Sequence, residues 1–160
     1  GTGGFLIEAG LMNTKVIGYD ISKNAVKGCK ENLKYFKIKN CKIFNANALE
    51  ILHKFDYVVA DLPYGLNSNA YLQHDKTSLK QNKYNKISLK INKKNQIKCI
   101  GQFYLKFLKQ LRKSLNKKAV IIFPNYVDYK KLLKTAKFKI EKEFSIYVHR
   151  SLTRKIVKIA

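Results

Sequence analysis

Asp61, Leu62, Pro63 and Tyr64 follow directly on the apolar run Tyr57-Val58-Val59-Ala60. A short apolar run of this kind reads as a buried strand, so the acid, the proline and the tyrosine stand where a strand ends. A carboxylate and the neighbouring backbone carbonyl are both acceptors. The exocyclic amino group of a nucleobase is a poor nucleophile, because its lone pair is delocalised into the ring. Two acceptors can take its two hydrogens, favour a more pyramidal nitrogen and aim the lone pair at an electrophile. Pro63 stiffens the turn, and Tyr64 offers a face on which a planar base stacks, worth about 1–3 kcal/mol. Hydride transfer has no use for this combination. The purely structural alternative is a Pro-Tyr-Gly loop with a satisfied aspartate.

Two other strand ends carry chemistry. Gly1-Thr2-Gly3-Gly4 lets backbone pass close to a ligand and opens a helix whose N-terminal N–H groups face it. Such turns also occur for structural reasons, and glycine-rich openings serve dinucleotides and phosphates as well. Asp20 closes the next apolar run, where an acid can accept both hydroxyls of a ribose. Its structural alternative is to help cap the helix after Ser22. Together the two ends indicate a nucleoside-containing cofactor and leave a nicotinamide dinucleotide open.

The elements that must position these residues are legible from periodicity. Phe5 to Leu11 reads as a short apolar helix closed by Gly10 and the Asn13-Thr14 turn, and Lys15 to Asp20 as a strand. Ser22 is an expected N-cap for a helix whose apolar face is Ala25, Val26, Cys29, Leu33 and Phe36, with lysines outside. Cys41 to Ala46 and Tyr57 to Ala60 are expected strands, separated by a short helical segment through Leu49, Ile51 and Leu52. From Gly65 to about Asn95 the pattern dissolves into Asn, Ser, Lys and Gln, and loops this long are functional or disordered. Ile97 to Leu115 is an amphipathic helix of about five turns, Ala119 to Phe123 a buried strand, and Leu132-Leu133 the centre of a short helix. Phe138 to Val148 and Lys155 to Ile159 form an antiparallel pair around Ser151-Leu152-Thr153-Arg154. Strands alternating with helices predict an α/β fold: a mainly parallel sheet covered on both faces, with the antiparallel hairpin at one edge. In such sheets ligands bind outside the carboxyl ends of the strands.

The chain has 160 residues, 46% of them apolar, which is enough for one core of ordinary size. A single domain is expected. Cys29, Cys41 and Cys99 are odd in number and far apart, so neither a disulfide framework nor a zinc site is indicated. No metal is expected, since His53, His74 and His149 show no ligand spacing. No apolar run reaches the length of a membrane span and no signal-peptide pattern is present, which predicts a cytoplasmic protein without membrane attachment. The net charge of +23 favours a polyanion such as nucleic acid. An A/T-biased coding sequence would also enrich Lys, Asn and Ile. Lys80, Lys83, Lys86, Lys90, Lys93 and Lys94, with Tyr84, are candidates for phosphate contacts in the 66–95 loop, or else form a solvated insertion. Arg150 and Arg154 flank the last turn as further candidates. The sequence opens on a glycine-rich turn of the kind that follows a strand, and it reads as a fragment whose first strand is missing.

GTGGFLIEAGL, the acid in VIGYDIS, DLPYG and YVHRSLTRKI together resemble the catalytic domain of the archaeal-type tRNA (guanine-N2) methyltransferases that modify position 10. The resemblance runs over nearly the whole chain. It implies a Rossmann-like S-adenosylmethionine methyltransferase fold and residues 1–160 as a catalytic domain, lacking the N-terminal THUMP domain with which such enzymes bind tRNA. It assigns Gly1 and Gly3 to the methionine end of S-adenosylmethionine, Asp20 to its ribose, and Asn47 and Ala48 to its adenine. Asp61, Leu62, Pro63 and Tyr64 become the catalytic set. Two positions depart from the family pattern: Asn47 stands where an acid is usual, and Leu62 replaces the first proline while keeping its carbonyl. The implied reaction is methyl transfer to N2 of a tRNA guanosine by a monomer. Adenine N6, a protein glutamine, or RNA binding without catalysis are the alternatives.

Overall fold

In the computed structural model, residues 1–51, 53–64 and 93–160 are described, with side chains omitted at 93–96, 98 and 99. The lysines at 80, 83, 86 and 90, Tyr84, His74 and the Cys99 thiol lie outside them, while Lys93 and Lys94 open a helix. The described residues cluster into two compact units, 1–54 and 55–160.

In the first unit, helix α1 (Gly4–Leu11) leads to strand β1 (Val16–Asp20), helix α2 (Lys23–Tyr35) and strand β2 (Cys41–Asn45). β1 and β2 pair in parallel, from Val16 opposite Cys41 to Asp20 opposite Asn45. Ser22 caps α2 as its type predicts, its hydroxyl accepting from the Ala25 N–H at 3.3 Å, a contact of a kind worth about 1 kcal/mol. The apolar positions at three- and four-residue spacing turn Val26, Cys29 and Leu33 inward. Phe36, expected on that face, is instead the C-cap residue and is exposed, because the helix ends one residue before it. The expected helical segment after β2 is a single 3₁₀ turn, Ala48–Glu50.

In the second unit, β3 (Phe55–Asp61), β4 (Leu115–Pro124), β5 (Ile140–His149) and β6 (Leu152–Ile159) form one sheet in the order β3-β4-β6-β5. β3 and β4 are parallel, while β4–β6 and β6–β5 are antiparallel. The final hairpin thus lies at an edge as expected, although parallel and antiparallel pairings are balanced among the described residues. Helix α3 (Lys93–Ser114) ends one residue earlier than its periodicity implies: Leu115 opens β4, pairing with Phe55. α3 buries Ile100, Tyr104, Phe107, Leu108 and Leu111. Tyr104, Phe123 and Tyr129 of helix α4 (Tyr129–Thr135) pack ring to ring, with centroids 5.4 and 5.3 Å apart, each contact adding about 0.5–1.5 kcal/mol beyond its burial. No helix among the described residues is long and apolar enough to cross a membrane.

Candidate active site

Parallel pairing of β3 with β4 brings their carboxyl ends to the same edge of the sheet, and the antiparallel β6 starts there, with Arg154 opposite Pro124. The Asn125 N–H donates to the Thr153 carbonyl at 2.9 Å, and the Thr153 N–H to Asn125 Oδ1 at 3.1 Å, which joins the two chain segments at this edge. Asp61 is the last residue of β3. Its Oδ1 accepts the Tyr64 hydroxyl at 2.6 Å, and its Oδ2 lies 3.9 Å from Arg154 Nη2. The Arg154 guanidinium also lies over the Tyr64 ring, 5.6 Å from the centroid. Its Nε is buried and meets no acceptor among the described residues.

Two further tyrosines hold the turn. Tyr104 donates to the Pro63 carbonyl at 3.3 Å and Tyr126 to the Tyr64 carbonyl at 2.6 Å, while the Leu62 side chain is buried beneath. Burial foremost, then the hydrogen bond to Asp61 and the charge of that carboxylate, push the Tyr64 phenol well above its usual range; Arg154 opposes the shift. Burial likewise raises Tyr104, with smaller contributions from Tyr126, Tyr64 and Asp61. Both phenols therefore stay protonated at neutral pH. The structure bonds the Tyr64 hydroxyl to Asp61 and draws in Arg154, which the sequence marks only as a possible phosphate contact. Tyr104 reads from sequence as one more apolar position on α3, and Tyr126 carries no signal at all.

In the first unit, Gly3 is the N-cap of α1 at φ 94°, and a Cβ there would lie 2.4 Å from Cys29 Sγ. Only glycine fits, on grounds of conformation and of space. Both oxygens of Asp20 are engaged: Oδ1 accepts the Ser22 N–H at 2.8 Å and Oδ2 contacts the Gly1 amino group. Asn45 ties the end of β1 to that of β2 by donating to the Asp20 and Ile21 carbonyls at 3.0 and 2.8 Å. Beyond these ends lies a cavity of about 580 Å³ lined in part by Tyr19, Ile21, Asn47 and Glu50. Asn47 uses its carbonyl oxygen to accept from the Leu49 N–H at 3.0 Å and its amide to donate to Glu50 Oε1 at 2.9 Å. A carboxylate, that of Glu50, thus stands beside Asn47 at the cavity wall. Ala48 opens the 3₁₀ turn but does not line the cavity. Among the described residues no cluster of His, Cys, Asp and Glu could hold a metal ion.

A family model described as a methyltransferase domain matches residues 1–148. The tRNA (guanine(10)-N2)-dimethyltransferase of Methanothermobacter thermautotrophicus is 32% identical over 160 residues, covering 98% of this chain and 40% of the relative. The enzyme of the same name from Pyrococcus abyssi is 30% identical over 159 residues, 96% of this chain and 40% of the relative. The chain therefore spans about 40% of the length of these curated relatives. Among solved structures, TrmN from Thermus thermophilus superposes with a TM-score of 0.66 at 14% identity, covering 99% of this chain and 41% of that one. Magnesium protoporphyrin IX methyltransferase from Synechocystis, solved with bound SAM, gives 0.67 at 13% identity, covering 99% and 65%. These two likenesses establish a shared Rossmann-like fold.

Proposed function

We propose, from the premise that the chain belongs to the methyltransferase-domain family, that it is the catalytic domain of an S-adenosylmethionine-dependent enzyme that methylates N2 of a guanosine in tRNA, at position 10. The observation that carries this reading is the turn after β3. An acid at a strand end, a backbone carbonyl and an aromatic ring stand within four residues, held by three tyrosine hydroxyls. The names of the full-span relatives supply the substrate.

The first unit fits the cofactor. Gly1 and Gly3 would let its methionine end approach the backbone, the turn at Gly3 being closed by Cys29 behind it. Asp20 would hold the ribose: each of its oxygens retains a lone pair beyond the one already used. Asn47 would face the adenine from the cavity wall, with Glu50 beside it as a second acceptor, while Ala48 lies next to them outside the lining. Bound S-adenosylmethionine supplies an electrophilic methyl group on a sulfonium.

In the second unit, Asp61 Oδ1 and the Leu62 carbonyl accept the two hydrogens of guanine N2. The arriving amine replaces the Tyr64 hydroxyl on Oδ1, and the Tyr64 ring stacks on the base. Arg154 holds the carboxylate from its other oxygen and the ring from its face. As the N–C bond forms, the methyl–sulfur bond would break with its electron pair left on sulfur as a neutral thioether, and the nitrogen, now cationic, would give up a proton to water or to Asp61. Most of the acceleration comes from positioning. A guanosine in folded tRNA must be unpaired or flipped to reach the turn, which costs a few kcal/mol and is offset by basic side chains on phosphates. The setting is the cytoplasm, the acting species a monomer, and no metal takes part.

The test is methyl incorporation from labelled S-adenosylmethionine into unmodified tRNA by the full-length protein, followed by nucleoside analysis. N2-methylguanosine or N2,N2-dimethylguanosine is the expected product. A methylated adenosine would keep the amino-group chemistry and overturn the base; no transfer, with tRNA still bound, would leave a binding module.

A further inference from the structure

The C-terminal half of α2 and strand β2 enclose a groove of about 770 Å³ within the first unit. Lys30, Lys34, Lys37, Lys39 and Lys42 line it, all exposed, and no carboxylate does. Its floor is apolar, with Leu33 buried, and it runs out to Phe44. Phe44 is 46% exposed, while its ring stacks on Tyr19 at 5.6 Å and 23°, so one aromatic face is supported and the other side is free to solvent in part.

Four lysines of the second unit, Lys117, Lys118, Lys130 and Lys158, lie 2.8–3.3 Å from a carboxylate. Among the described residues no ion pair involves the five lysines of the groove. Like charges gathered around one concavity repel, and a polyanion relieves that repulsion while releasing its counterions. Lys30 and Lys34 share one face of α2 at four-residue spacing, and Lys37, just past the C-cap, and Lys39 and Lys42 line the groove beyond the helix, so the charges are spread along it rather than gathered at a point.

We infer that this groove binds a strand of the RNA substrate, its phosphates on the five lysines and one base on Phe44. The inference rests on the proposed RNA substrate and adds to it a second binding surface outside the catalytic turn. An exposed aromatic at the end of a basic track is the arrangement by which proteins hold single-stranded nucleic acid without reading its sequence.

The experiment is tRNA binding by the full-length protein over a range of salt concentrations. The variant Lys30→Ala/Lys34→Ala/Lys37→Ala is compared with Lys15→Ala/Lys23→Ala/Lys27→Ala, which removes the same charge outside the groove. The groove variant is expected to bind at least about tenfold more weakly at low salt, with the log–log salt slope shallower by about one for each phosphate left without its lysine. The control should stay near wild type, and both should keep the wild-type melting midpoint. Phe44→Ala is expected to weaken binding without changing the slope. Equal weakening in the two triple variants, or an unchanged affinity and slope in the groove variant, would overturn the inference while leaving the RNA methylation reading intact. Failure of the wild type to bind or methylate tRNA would overturn both, and binding to anionic lipid vesicles instead would assign the groove to a membrane.

Discussion

Asp20 and Asp61 both close a strand of a parallel pair and both accept hydrogen bonds, yet their partners differ in kind. Asp20 is held by a main-chain donor, the Ser22 N–H at the start of α2. Asp61 is held by side chains, the Tyr64 hydroxyl and the Arg154 guanidinium. A main-chain donor cannot leave without unwinding the helix start or the turn that carries it, whereas a phenol can swing away through a rotation about its own side-chain bonds. The first arrangement suits an acid that receives the same ligand in every cycle. The second suits one that must exchange a partner during the reaction.

Removing the two acids in turn separates their roles. Asp61→Ala is expected to lower methyl transfer by at least about a hundredfold, since orientation of the amine is lost, with cofactor affinity nearly unchanged. Single-turnover assays beside cofactor calorimetry would decide it, and equal loss in both would erase the distinction. Asp20→Ala should do the reverse. Losing hydrogen bonds to a charged acceptor weakens cofactor binding by about ten- to a hundredfold, while the rate at saturating cofactor stays within a few-fold.

Smaller effects sharpen the same contrast. Tyr126→Phe removes the donor to the Tyr64 carbonyl, a bond whose net worth is about 0.5–1.5 kcal/mol. The expected result is a modest drop in melting temperature together with a raised KM for RNA, because the turn that must receive the base is less well held. The weakest signal is a pH effect. Burial raises Tyr64 and Tyr104 above their unfolded value of about 10, so their contribution to stability is complete below that pH and is lost as pH rises through the folded values. Melting temperature should thus fall more steeply above pH 10 in the wild type than in Tyr104→Phe.

Local chemistry makes much of this molecule legible. Ser22 before an apolar repeat and an acid after an apolar run are signals carried by neighbouring residues, and both appear where the sequence places them. The turn after β3 is readable as a string of residue types. Its scaffold is not, because Tyr104 and Tyr126 lie 41 and 62 residues from the carbonyls they hold, those of Pro63 and Tyr64. Arg154 illustrates the same limit. Beside Arg150 it reads as one more cation at a hairpin, and only the antiparallel register that sets it opposite Pro124 carries it to Asp61. Leu115 shows the converse, since a helical period cannot announce that the next residue already belongs to a strand.

The tyrosine scaffold has an optical consequence. The chain contains ten tyrosines and no tryptophan, so its emission and its near-ultraviolet absorption are dominated by phenols. Three of them converge on the turn after β3, and one is bonded to a carboxylate, an environment that quenches phenol emission. Under the proposed function, a base that displaces the Tyr64 hydroxyl from Asp61 and stacks on its ring would exchange one quencher for another, and the phenol signal would change at the turn. The protein carries its own fluorophore in the turn, and substrate engagement can be followed without attaching a label.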